Sequence, residues 1–188
     1  YALMTFAEGG DIGVNAVVPK LQQQAASWDP LFALVGGDLA YREPGKCAEG
    51  CPKWKRFLKQ WHEGMRAGNR LIPIVAAIGN HETNDRGEAT YYFSLYDNTR
   101  REEAHWTFSI GDYLTAVLLD SELPADGESI EQRIGGAQTD WLKAQLQQYR
   151  DVLHLFAMYH TPAYTSHKSR LQVRSQLIRQ HWQPLFEE

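Results

Sequence analysis

Four polar residues whose side chains can bind metal ions each follow a short apolar run. They are Asp11 after "ALMTFAEGG", Asp38 after "LFALVGG", Asn80 after "LIPIVAAIG" and His160 after "LHLFAMY". Tyr41 lies three residues beyond Asp38. Carboxylate, amide oxygen, phenolate and imidazole ligands suit iron, manganese or zinc better than metals that prefer thiolates. The pattern therefore predicts a metal centre, and a phenolate favours a hard, highly charged ion such as Fe(III).

A single residue of this kind would mean little, because Asp and Asn are also common turn formers after strands. Four such residues at corresponding strand ends carry more weight. In open α/β sheets ligands bind outside the carboxyl ends of the strands. We therefore expect these side chains to converge on one edge of one sheet. Gly36 and Gly37, which lack a Cβ atom, are expected to let the backbone approach a crowded site there.

The elements that position these residues alternate between strands and helices. The four apolar runs are nearly continuously hydrophobic, which indicates strands buried on both faces. Helical spacing of apolar residues falls between them, and Asn15 and Thr139 are possible N-caps. Residues 105–120 predict a hairpin turning at Gly111, and residues 120–135 have the composition of a surface loop. The order β-α-β-α-β, hairpin, α-β-α predicts an α/β fold with a largely parallel sheet covered by helices.

Composition limits the classes of partner. The length of 188 residues suits one domain, and no apolar run approaches the roughly 18 residues that cross a bilayer. A net charge of −4 argues against general attraction to nucleic acid or to anionic membranes. The two cysteines, Cys47 and Cys51, favour a disulfide, while two free thiols or a metal-binding pair remain open. A disulfide would favour a secreted, periplasmic or otherwise extracytoplasmic location.

The motifs that contain these residues resemble those of a known superfamily. The segments "GDIG", "GDLAY", "GNHE" and "MYHTP" occur in this order between about residues 5 and 167. They resemble the calcineurin-like metallophosphoesterases, and most closely the purple acid phosphatases. The discriminating detail is Tyr41, together with Gly13 at a place where other members usually carry a histidine. The resemblance implies a layered α/β/β/α sandwich with mostly parallel central strands.

The resemblance also implies a role for each candidate ligand. Asp11 and Tyr41 would bind Fe(III), and Asp38 would bridge two metal ions. Asn80 and His160 would bind the second, divalent ion, which could be Zn, Mn or Fe.

Two histidines would act on the substrate rather than on the metals. His81 would contact the phosphate and help to protonate the leaving alkoxide, and His167 would be a further phosphate contact. The implied activity is hydrolysis of phosphate monoesters on small molecules, in which hydroxide generated at the metals attacks phosphorus. Phosphodiesters and nucleotides are alternative substrates.

One motif of the resembled family does not occur in these 188 residues. The family's Gly-His-x-His segment, which supplies one ligand to each metal, is absent. We interpret this absence as truncation, so that residues 1–188 form a single catalytic domain whose C-terminal part is missing. The alternative is a non-catalytic relative that binds a phosphorylated or protein ligand.

Overall fold

The computed structural model describes residues 3–41, 51–82, 89–95, 104–122, 128–166 and 172–188. In this part of the chain, strands and helices are interspersed, and two pairs of strands form hairpins. The elements are β1 (Ala7–Gly9), α1 (Val18–Ala26), β2 (Ala33–Val35), α2 (Pro52–Gly64), β3 (Arg66–Ala67), β4 (Arg70–Leu71), β5 (Ile74–Ala76), α3 (Thr90–Leu95), β6 (Trp106–Ile110), β7 (Leu114–Leu118), α4 (Ile130–Gly135), α5 (Ala137–Gln148), β8 (His154–Met158), α6 (Gln172–His181) and α7 (Gln183–Glu187).

The main strands form two three-stranded sheets. The first sheet has the order β1-β2-β5 and is parallel throughout. The second has the order β6-β7-β8, in which β6 and β7 form the predicted antiparallel hairpin and β8 runs parallel to β7. A two-stranded hairpin of β3 and β4 stands apart from both.

Alternating side chains divide the buried residues into three layers. Leu34 of β2 packs in one cluster with Leu114 and Ala116 of β7, which places this cluster between the two sheets. The neighbouring Ala33 and Val35 join a second cluster with residues of α2. This alternation follows from the two-residue period of a strand.

Helices cover the outer face of each sheet. Trp54, Phe57 and Trp61 of α2 follow one another at spacings of three and four, so they share one helix face, which is buried against the first sheet. Leu142 of α5 and Ile178 of α6 pack in the same way on β7 of the second sheet. The architecture is therefore an α/β/β/α sandwich, as predicted.

The prediction that all four apolar runs form one sheet is wrong for the fourth run. The fourth apolar run forms β8, which pairs with β7 of the second sheet and not with β1, β2 or β5. A buried strand in either sheet is continuously apolar, so its sequence does not reveal which sheet it joins.

Part of the predicted loop at residues 120–135 is helical. Helix α4 begins after Ser129, whose hydroxyl accepts a hydrogen bond from the Gln132 N–H, while the Gln132 side chain accepts one from the Ser129 N–H. This reciprocal pair is a capping box.

The two predicted N-caps also differ from the structure. Asn15 accepts hydrogen bonds from the N–H groups of Val17 and Val18 although Val17 is the N-cap of α1. Thr139 is not an N-cap, because it lies inside α5.

Cys51 is disulfide-bonded, which agrees with the favoured interpretation of the two cysteines. Cys47 lies outside the described residues. In the part of the chain that the structure describes, no helix combines the length and apolar character needed to span a membrane.

Candidate metal centre

The loops after β1 and β2 run side by side beyond the ends of their strands. Asp11 donates its N–H to the carbonyl of Gly37 at 3.1 Å, and Ile12 donates to the carbonyl of Asp38 at 2.9 Å. The parallel hydrogen bonding of the sheet thus continues into the loops. As a result, the side chains of Asp11 and Asp38 project from neighbouring backbone segments.

Three of the predicted ligands have a left-handed backbone. The φ angles of Asp11, Asp38 and Tyr41 are 52°, 56° and 50°. Aspartate tolerates this region moderately well, whereas a bulky tyrosine rarely adopts it. Strained residues of this kind are concentrated at functional sites, where the surrounding structure holds them in place.

Two glycines allow the loops after β2 and β5 to touch. A Cβ atom on Gly37 would lie 2.8 Å from backbone atoms of Gly79 and 3.0 Å from His160 Nδ1. A Cβ atom on Gly79 would lie 2.3 Å from the backbone nitrogen of Asp38. The expectation of a crowded approach is therefore correct for Gly37. It is wrong for Gly36, whose nearest neighbour would be at an ordinary 3.7 Å.

The loops bring together a group of side chains that could hold a metal ion. Asp11, Asp38 and His160 each offer one ligand atom, and these atoms all lie within 4.8 Å of one another. His160 reaches this group from the second sheet, while the aspartates follow strands of the first. The predicted ligands therefore converge at the boundary between two sheets, and not on the edge of one.

The orientation of the His160 ring fits a metal ligand. Nδ1 lies 2.8 Å from the carbonyl oxygen of Gly36, which can only accept, so Nδ1 carries the proton. The other nitrogen, Nε2, lies 3.0 Å from Asn80 Oδ1 and 3.5 Å from Asp38 Oδ2. One nitrogen and two oxygen atoms of the kinds that bind metal ions thus lie close together. A histidine ligand commonly donates its other N–H in this way.

Tyr41 and Asp11 form a second pair at the site. The Tyr41 hydroxyl donates a hydrogen bond to the Asp11 carboxylate. Burial raises the pKa of Tyr41 well above its usual range, and the carboxylates of Asp11 and Asp38 raise it further. Binding of Tyr41 as a phenolate therefore requires an ion that is acidic enough to displace this proton.

His81 lies at the rim of the group. Its backbone N–H donates to Asp38 Oδ1 at 2.8 Å, and its half-exposed ring packs against the Tyr41 ring with ring centres 4.6 Å apart and planes tilted by 33°. The ring nitrogen Nε2 is 4.0 Å from Asp38 Oδ2. The ring is therefore accessible to a ligand bound above the carboxylates. His167, the other predicted substrate contact, lies outside the described residues.

The sequence did not reveal the role of Glu82. This buried carboxylate accepts hydrogen bonds from the N–H groups of Asp38, Leu39 and Gly79, each at 2.8 Å. Burial raises its pKa to about 7, the Asp38 charge adds to the shift, and the three N–H donors oppose it. Through these hydrogen bonds, Glu82 connects the loop after β5 to the loop that carries Asp38. Its place in "GNHE", two residues after the candidate ligand Asn80, was the available signal.

Comparison with protein families identifies this chain's family. The family model described as calcineurin-like phosphoesterase matches residues 7–181. The search of curated proteins found no match. The matched range contains every predicted site residue.

Proposed function

This chain belongs to the calcineurin-like phosphoesterase family, and from that premise we propose that it is a binuclear metal-dependent hydrolase of phosphate monoesters, of the acid phosphatase type. Membership of the family supports metal-dependent hydrolysis of phosphoesters. The observation that carries the proposal is the convergence of Asp11, Asp38 and His160, in which the imidazole Nε2 faces oxygen atoms of Asn80 and Asp38. This donor set of oxygen and nitrogen atoms fits iron, manganese and zinc.

The pairing of side chains supports two ion positions. Asp11 is hydrogen-bonded to Tyr41, and Asn80 lies within 3.0 Å of His160. Asp38 interacts with both pairs, since it raises the Tyr41 pKa and lies 3.5 Å from His160. Asp11 and Tyr41 would hold one ion, Asn80 and His160 the other, and Asp38 would bridge them.

Tyr41 supports the finer assignment to the purple acid phosphatase type. Its hydroxyl contacts the Asp11 carboxylate, and a phenolate ligand at this place would favour a hard, highly charged ion. Fe(III) is such an ion, and the second ion would be divalent Zn, Mn or Fe.

The chain's own residues would position the phosphate and move a proton. Metal ions held by these residues would supply charge stabilisation and a nucleophile from water. The His81 ring, exposed beside Tyr41, would contact a phosphate oxygen and protonate the leaving alkoxide. His167 is proposed as a further phosphate contact.

The partner is proposed to be a phosphorylated small molecule, with neither nucleic acid nor a membrane as a partner. The negative net charge supports only the second part of this proposal, since it disfavours nucleic acid and anionic membranes. The Cys51 disulfide supports a secreted, periplasmic or otherwise extracytoplasmic location, since disulfides persist in oxidising compartments.

The test combines metal analysis with turnover. The purified full-length protein is expected to hold two metal ions and to hydrolyse p-nitrophenyl phosphate at roughly pH 4–7, where a metal-activated water can ionise. Asp38→Asn should lose both properties, whereas Asp151→Asn, at an exposed position, should keep them. Absence of bound metal and of turnover in the unmodified protein would refute the proposal.

A second assay separates the substrate classes. Bis-p-nitrophenyl phosphate and ATP are offered in parallel with the monoester. A higher kcat/KM for either of them would show that the monoester is not the preferred substrate class. The proposal of metal-dependent hydrolysis would not be affected.

A further inference from the structure

A buried polar cluster lies directly behind His160. It comprises Ser121 and Glu122, just beyond β7, and Thr161, the residue after His160. Because β7 and β8 are parallel neighbours, the segments that leave their carboxyl ends run together. None of these three side chains belongs to the candidate metal centre.

Thr161 is held by both of its polar groups. Its backbone N–H donates to Ser121 Oγ at 3.0 Å, and its hydroxyl donates to the Glu122 carboxylate. Ser121 Oγ donates to the same carboxylate oxygen of Glu122 at 2.9 Å. Main chain and side chain of Thr161 are therefore fixed to the end of β7.

Glu122 is in turn paired with a helix of the outer layer. Its side chain is 1% exposed, and Oε2 lies 3.5 Å from Nε of Arg174 in α6. An unpaired carboxylate at this depth would be costly, so the arginine compensates for its burial. A continuous line of contacts thus joins α6, Glu122, Thr161 and the backbone of His160.

This line of contacts fixes the backbone of His160, whereas the hydrogen bond of the ring does not. The bond from Nδ1 to Gly36 fixes the ring once the backbone is in place. The backbone itself is fixed by the neighbouring Thr161. We propose that Glu122 and Thr161 are positioning residues that hold His160 in the orientation required of a metal ligand. They thereby set the affinity of the ion position formed by Asn80 and His160, a consequence that rests on the proposed function.

The test removes one hydroxyl. Thr161→Val keeps the shape of the side chain and loses the bond to Glu122, while Thr161→Ser keeps that bond. Thr115→Val is the matched control, because Thr115 is also buried, lies within β7 and bonds through its hydroxyl to Ser109 at 2.9 Å. Unfolding in urea shows whether the two valine variants lose comparable stability.

The first measurement needs no metal. Nitrogen NMR of the His160 ring, assigned with His160→Gln, is expected to show the Nδ1–H tautomer in the unmodified protein and in the Ser variant. In Thr161→Val it should show a mixture of tautomers, and in Thr115→Val no change. An unchanged tautomer in Thr161→Val would overturn the positioning role, whether or not the protein binds metal.

The second measurement tests the consequence for metal binding. Titration with Zn(II) is expected to show one of two binding events weakened about 10- to 100-fold in Thr161→Val, the range typical of residues that orient a ligand. Equal weakening in Thr161→Val and Thr115→Val would overturn the inference. If the unmodified protein binds no metal but the tautomer changes as expected, the proposed function fails and the positioning role stands.

Discussion

Replacement of Gly79 by alanine should disrupt the candidate metal centre. The added Cβ atom would lie 2.3 Å from Asp38 N, 2.4 Å from Asp38 Oδ1 and 2.8 Å from Glu82 Oε2. An ordinary contact begins at 3.4 Å, so the two loops must separate by about 1 Å. Neither carboxylate can rotate away freely, because both are buried and bound to backbone N–H groups.

The cost follows from this displacement. Overpacking of a close contact costs about 1–3 kcal/mol, and weakening of a hydrogen bond to the Glu82 carboxylate adds about 1–2 kcal/mol. We therefore expect the free energy of unfolding to fall by about 3 kcal/mol. A displacement of 1 Å at a reacting site can cost about 10²-fold in rate, and we expect turnover to fall by at least that factor.

The control is Gly9→Ala, because a Cβ atom at Gly9 would meet nothing within 4 Å. Urea unfolding of the metal-free proteins, metal titration and phosphatase assay are run on both variants. Equal stability and equal metal affinity in the two variants would refute the geometric reasoning. Lower stability of Gly79→Ala with unaltered metal affinity would show that the position of Asp38 does not govern binding.

Three further predictions concern individual side chains of the site. Tyr41→Phe should abolish the visible absorption of the iron-loaded protein, since no phenolate remains to donate charge; an unchanged spectrum would exclude Tyr41 as a ligand. His81→Ala should lower kcat while both ions stay bound, which metal analysis checks; loss of metal would contradict a role toward the substrate. The Glu82 pKa of about 7, against an ordinary 4.5, means that the folded metal-free protein holds a proton that the unfolded chain releases. Its free energy of unfolding should therefore fall by up to about 3 kcal/mol as the pH rises between these values. Urea unfolding across this range measures the slope; Glu82→Gln should flatten it, and an equal slope in that variant would contradict the assignment.

Much of the site could be predicted from the sequence because ligand type and strand position are local properties. Asp11, Asp38 and Asn80 each follow an apolar run that ends at the same edge of the first sheet. His160 was predicted for the same reason, yet it arrives from the second sheet. The sequence of β8 carries no information on its partner strand, which depends on long-range pairing.

Other features depend on contacts that no local pattern records. Gly36 and Gly37 are identical letters in sequence, and only the approach of the loop after β5 makes one of them crowded. The role of Glu82 likewise depends on three N–H groups, two of them more than forty residues away in the chain. Helix α4 is a different case. Its capping box of Ser129 and Gln132 was visible in the sequence, but the loop-like composition of the surrounding residues led to the prediction of a loop.

The position of the candidate centre between two sheets has a consequence for folding. The hydrogen bond between Gly36 and His160 joins residues 124 apart in the chain. An ion shared by the loops around them would act as a cross-link that closes a loop of this length, and long loops carry a high entropic cost of closure. Ligand binding at a thousand times the dissociation constant adds about 4 kcal/mol to the stability of the folded state. The metal supply would then determine how firmly the two halves of the sandwich are joined, as well as whether the enzyme is active.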